Sequence, residues 1–159
     1  MDDIVRAALK KWPNVPACYG WLALDARGDW YMRDDRVQRS GPFPAAKGSR
    51  IRHDKLQEFI HRNYLADEGG CWFFQNGPQR VFVTLAYTPL VLHFEGAALL
   101  DHCGRPFESA QGFVDEEGSV LIWGKSGIGL LDDRDLAGYA DRAAGLPGIR
   151  SGAVPGRFG

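Results

Sequence analysis

Apolar and polar positions follow one period at the start of the chain and another further on. Val5, Ala8, Leu9 and Trp12 recur at helical spacing. Asp2 or Asp3 can cap that helix, Lys10 and Lys11 suit its carboxyl end, and Pro13 stops it. The next stretch, "ACYGWLALDARGDWYMR", reads as a hairpin, with two apolar runs around "DARG". A long loop follows, "DDRVQRSGPFPAAKGSR" at 34–50, and a loop of that length is either functional or mobile. A second helix is predicted from about His53 to Ala66, with Leu56, Phe59, Ile60, Asn63 and Tyr64 at core spacing and "EGG" ending it.

After Gly70 the period becomes that of strands. "CWFFQ" and "RVFVTLAY" flank "NGP", "LVLHF" and "AALL" flank Glu95-Gly96, "GFV" and "VLIW" flank "DEEG", and "IGLL" follows Gly127. A short last helix is predicted from Asp132 or Asp133 to about Ala143. The class is α+β: an antiparallel β-meander of about seven to nine strands with two or three helices, since short turns join antiparallel neighbours. Residues 1–142 read as a single domain, and 143–159, rich in Gly and Pro, as a flexible tail.

Composition adds limits. At 159 residues the chain can bury a core unaided, and 12% aromatics imply a thick aromatic core or a contact surface. The net charge of −1 supplies no global attraction to nucleic acid or to acidic membranes. The start, "MDDIVRAALKKW", lacks a signal-peptide core, and no apolar run reaches the roughly 20 residues that span a bilayer. Cys18, Cys71 and Cys103 are odd in number and without CxxC spacing, which suggests reduced thiols and a cytoplasmic location.

"LDHCG" at Leu100–Gly104 sets Asp101, His102 and Cys103 side by side, as in a metal or catalytic site. "LDARG" at Leu24–Gly28 and "VDEEG" at Val114–Gly118 share its outline: an apolar residue, Asp, two free positions, Gly. Asp suits the first position of a turn and Gly the left-handed fourth, and the middle pairs have no chemistry in common. The stretch is therefore read as a turn, with no metal site and no cofactor expected.

Other candidates are weighed in the same way. Arg33, Arg36, Arg39, Lys47, Arg50 and Arg52 face only Asp34 and Asp35 over 33–52, and five of them (Arg33, Arg36, Arg39, Arg50 and Arg52) are candidate phosphate ligands, with Trp30, Tyr31 and Phe43 nearby to stack on bases. The chain's net charge favours a plain solvated loop. "WGKSG" at 123–127 lacks the earlier glycine of a phosphate loop, so Lys125 and Ser126 read as a hairpin turn. His53 and His61 are eight apart, too far for a helical zinc pair, and neither Gly-x-Ser-x-Gly nor HExxH occurs. His93 alternates with Leu92 and Phe94 and reads as solvent-facing, and Cys71 as a small buried hydrophobe. Trp72, Phe73 and Phe74 put aromatics on both faces of one strand, so the face away from the helices needs a second layer: the loop, another sheet or another copy of the protein.

The segments "MDDIVRAALKKWPNVPACYGWLALDARGDWYMRD" and "NYLADEGGCWFFQNGPQRVFV" resemble a family of small bacterial proteins of unknown function. The resemblance covers roughly the first 90 residues. It implies a soluble bacterial protein and transfers no activity, cofactor or catalytic residue.

The leading reading is a non-enzymatic binding or protein-interaction module, with itself or another protein as partner. Its contact surface would be Trp21, Trp30, Trp72 and Phe74, gated by the loop from Asp34 to Arg50. One alternative is a nucleic-acid-associated protein using Arg33, Arg36, Arg39, Arg50 and Arg52. The other is a hydrolase or metal-dependent enzyme drawing on Cys71, His93, His102 and Cys103. No membrane partner is expected.

Overall fold

In the computed structural model, which describes residues 1–142 and 149–151, the chain forms two six-stranded sheets. The first carries helices α1 (Asp3–Lys11), α2 (Asp35–Ser40) and α3 (Asp54–Arg62) and strands β1 (Cys18–Leu24), β2 (Trp30–Met32), β3 (Ser49–Arg50), β4 (Tyr64–Ala66), β5 (Trp72–Asn76) and β6 (Gln79–Leu85). The second comprises β7 (Leu90–Glu95), β8 (Ala98–Asp101), β9 (Ser109–Val114), β10 (Val120–Gly124), β11 (Gly127–Leu131) and β12 (Ile149–Ser151). A 3-10 turn at Asp133–Asp135 and helix α4 (Leu136–Arg142) follow β11. No helix among the described residues is long and apolar enough to cross a membrane.

The fold is α+β, but it is not the antiparallel meander expected. β1 pairs parallel with β6, β11 with β7, and β12 with β9. Hairpins are encoded locally by their turns, whereas a parallel pair joins strands far apart in sequence and leaves no turn to read. Within the span read as one domain, the contacts form two compact units, one of residues 1–25 and 29–86, the other of 26–28 and 87 onward. The division at 86/87 lies inside the apolar run "VFVTLAYTPLVLHF", where composition does not change. Of the segment expected as a flexible tail, 149–151 pair with β9, and 143–148 and 152–159 lie outside the described residues.

Each sheet contains the same five-strand arrangement. In the first, β1 pairs antiparallel with β2 and parallel with β6, and β6, β5 and β4 follow as an antiparallel meander. In the second, β7 pairs antiparallel with β8 and parallel with β11, and β11, β10 and β9 follow likewise. Leu65 faces Phe73 and Asn76 faces Gln79; Phe113 faces Leu121 and Gly124 faces Gly127. Each residue of the second set lies 48 positions after its counterpart. The same register recurs without insertion, although few side chains are shared.

The Asp-x-x-Gly turns account for part of that repeat. Asp25, Asp101 and Asp115 each accept, through Oδ1, the amide four residues on: Asp29 at 2.9 Å, Arg105 at 3.0 Å and Ser119 at 2.8 Å. A fourth, unforeseen member is Asp67 in "ADEGG", which accepts from Cys71 at 2.9 Å and lies 48 residues before Asp115. The closing glycines 28, 70, 104 and 118 all have φ between 82° and 87°, left-handed conformations that favour glycine. "LDHCG" is a turn.

The second helix ends earlier than its pattern suggested. Asn63 Nδ2 donates to Phe59 O at 2.8 Å where α3 stops, and Tyr64 begins β4. "EGG" is therefore the turn into β5 and not a helix terminator. The loop 34–50 is built, not open. Asp34 caps α2 by accepting the Val37 amide at 3.0 Å, and residues 49–50 form β3.

Candidate interaction surface

The four nominated aromatics do not share a surface. Trp30 stands opposite Leu24, and Phe74 opposite Val81 and Tyr64, which places them on the sheet face that packs against α3. Trp30 is 1% exposed, donates its indole N–H to His61 Nε2 at 2.8 Å and meets Tyr64 edge-on at 5.0 Å. Phe74 is 6% exposed and meets Phe59 edge-on at 5.6 Å. Trp72 is half-buried, 4.7 Å from Tyr64. Trp30 and Phe74 are therefore core residues, because cross-strand register turns them under α3. Only Trp21, 37% exposed, remains open.

Trp21 belongs to a local irregularity in β1. Cys18 pairs with Val81 and Leu22 with Val83, so four residues of β1 span the distance of two in β6. Tyr19, Gly20 and Trp21 fall where β6 has only Phe82, a surplus of two residues, with Gly20 at φ 82°. Bulges re-aim side chains. Here Tyr19 is left 66% exposed, one ring face stacked on Phe82 (4.9 Å, 5° between planes). Phe82 lies 5.7 Å from Phe73, and the Arg80 guanidinium sits 4.3 Å over the Phe73 ring. Gln79 Nε2 donates to Pro16 O at 3.1 Å, holding the segment before β1 against β6. The bulge was missed in the sequence; a glycine inside the strand pattern "CYGWLAL" was its signal.

Among the described residues, the exposed large apolar side chains all fall between 4 and 56, in the first unit. Ile4, Tyr19 and Trp12 are the most open. Leu56, expected in the core, is 37% exposed on α3.

Two of the five nominated arginines have structural duties. Arg33 is 5% exposed, donating from Nε to Ala46 O at 3.0 Å and from Nη2 to Gly41 O at 2.7 Å. It pins the loop against the sheet and is no phosphate ligand. Arg50 pairs with Asp29 at 3.1 Å. Arg36, Arg39 and Arg52 are exposed. Phe43 packs on Tyr31 at 5.9 Å, so the loop covers part of the sheet face opposite α3. Burial, reinforced by Asp25, pushes the Tyr31 phenol up.

The cysteine and histidine candidates are dispersed. Cys71 is exposed at the β4–β5 turn, not buried as expected, and His93 is half-buried on β7. His102 Nδ1 accepts the Val91 amide at 3.1 Å, a structural bond. Burial, with Asp101 beside it, pushes the Cys103 thiol up to about 12, and burial also raises Cys18. A thiol held that high is a poor nucleophile. Alkylation of the native protein near pH 8 should modify Cys71 well before Cys103, read by peptide mass spectrometry. Faster reaction at Cys103 would contradict this. Among the described residues, no three His, Cys, Asp or Glu side chains gather as a metal site.

Residues 1–152 match the family DUF2944, described as "Protein of unknown function (DUF2946)". The chain belongs to that family. No curated protein matches it. A DUF1285 family protein from Silicibacter pomeroyi DSS-3 has a similar fold, with TM-score 0.51 and 13% identity over 89% of this chain and 84% of that one. A DUF1285 family protein from Shewanella baltica OS155 aligns at TM-score 0.49 and 16% identity, over 77% of this chain and 91% of that one. At such identities the likeness of this DUF2944 chain to the first is one of fold alone.

Proposed function

We propose that this DUF2944 protein is a non-enzymatic binding module that meets its partner through the Tyr19–Trp21 bulge. The observation that carries the reading is the irregularity itself, a surplus in a central strand that leaves two large aromatics in solvent. Exposed aromatics in a protein with ample core are the usual currency of contact surfaces. The raised Cys103 thiol argues against Cys103 as a nucleophile. The free thiols Cys18, Cys71 and Cys103 suit a reducing, cytoplasmic setting.

The test is site-specific photo-cross-linking in the cells that make the protein. Benzoylphenylalanine replaces Trp21 in one variant and the exposed Glu117, in the second unit, in another. Adducts of defined mass are expected at 21 and not at 117, whatever their chemical nature. Equal or absent labelling at 21 would overturn the assignment.

A further inference from the structure

We infer that the occupant of the Tyr19–Trp21 bulge is a single-stranded nucleic acid. The inference rests on the binding-module reading and names its partner. Tyr19 is a platform with one face packed and one face free: the Phe82 ring stacked beneath it, nearly parallel, fixes its attitude, and the other side is open. Trp21, next to Leu22 and so on the opposite sheet face from it, lies two residues along the same strand and is also open. Two exposed rings on either side of the Gly20 bulge can each receive an unstacked base, and such stacking tolerates any base because every base has a π-face.

The segments that carry and back these rings are basic, whereas α2, which packs on β1, brings Asp34 and Asp35 as well as Arg36 and Arg39. Residues 4–24 contain Arg6, Lys10 and Lys11, residues 69–86 contain Arg80, and neither stretch contains Asp or Glu. Arg80 reaches the bulge through Phe73 and Phe82, and Lys11 lies 4.6 Å over Trp12, at the head of the segment that Gln79 ties to β6. The chain's net charge of −1 is an average over a slightly basic first unit, where residues 1–25 and 29–86 hold twelve cations and ten acids. Lysine meets a phosphate as a point charge, and the arginine fork matches phosphate and carboxylate alike. The Arg80 fork already lies on a ring. The free face of Tyr19, which a base can stack on, favours a nucleic acid over an acidic peptide. The 33–52 segment borders the bulge, since the Arg33 amide donates to Trp21 O at 2.8 Å and the Gln38 side chain lies against Gly20, but its Arg33 and Arg50 side chains are occupied.

Fluorescence anisotropy of a labelled oligo(dT) of about 16 nucleotides, titrated with the full chain, tests the inference. Binding is expected to weaken about tenfold or more between about 50 and 200 mM salt. Tyr19→Ser/Trp21→Ser should weaken it about tenfold at fixed salt, and Lys11→Gln/Arg80→Gln should reduce its salt dependence. Lys55→Gln, on α3 and so on the opposite sheet face, should leave it unchanged. Melting curves certify that each variant is folded. Absence of binding at 50 mM salt, binding that survives Tyr19→Ser/Trp21→Ser, or binding abolished by Lys55→Gln would overturn the inference. Poly-glutamate bound in place of oligo(dT) would overturn the nucleic-acid assignment and keep the binding module, whereas missing adducts at position 21 would remove the module itself.

Discussion

Trp30→Ala is expected to lower the unfolding free energy by about 3–5 kcal/mol, the range for truncating a fully buried tryptophan. Two terms add. The indole is 1% exposed and fills space between β2, α3 and Tyr64, which cannot collapse onto a methyl group without moving a helix. The same change removes the indole donor from His61 Nε2. Trp30→Phe separates the terms, keeping most of the ring contact while losing the N–H, and should cost about 1–2 kcal/mol. Urea unfolding of the three proteins measures both. A loss under about 1 kcal/mol for Trp30→Ala would mean that the residue is not in the core.

Gly48→Ala is expected to cost about 3 kcal/mol or more, through the backbone alone. Gly48 has φ 90°, where an L side chain is strained, and a Cβ built there would stand 2.3 Å from Met32 O. The obstacle is a carbonyl held in the β2–β3 region, so no rotamer change relieves it. Gly118→Ala is the control: its φ is 82°, but a Cβ there meets nothing within 4 Å. It should cost about 1 kcal/mol, the left-handed penalty alone. Thermal melts of the two variants give the comparison, and equal losses would show that the close approach to Met32 carries no weight.

The sequence shows its local structure well and its long-range pairings poorly. Asp25, Asp101 and Asp115 are legible as turns because Asp and Gly at fixed spacing have one conformational use. Asp67 belongs to the same set but sits after a helical pattern, and Tyr64 satisfies that pattern and the strand pattern equally. The parallel pairing of Leu22 with Val83 has no sequence signature, since it depends on the whole intervening chain folding first. The aromatics show the limit most clearly. Trp21 and Trp30 look alike in an alternating run, and register decides which is buried. Two surplus residues beside Gly20 leave Trp21 and Tyr19 outside, while pairing with Leu24 takes Trp30 in. Arg33 reads as part of a basic loop, and only the carbonyls of Gly41 and Ala46 show that the loop is built around it.

Urea unfolding of Tyr19→Ser/Trp21→Ser beside the parent protein tests most directly whether the bulge exists for contact and not for stability. The expected loss is about 1 kcal/mol, the worth of one stacked pair on Phe82, with an unchanged denaturant slope. A loss above about 3 kcal/mol would place both rings in the core and contradict the assignment of this surface to a partner.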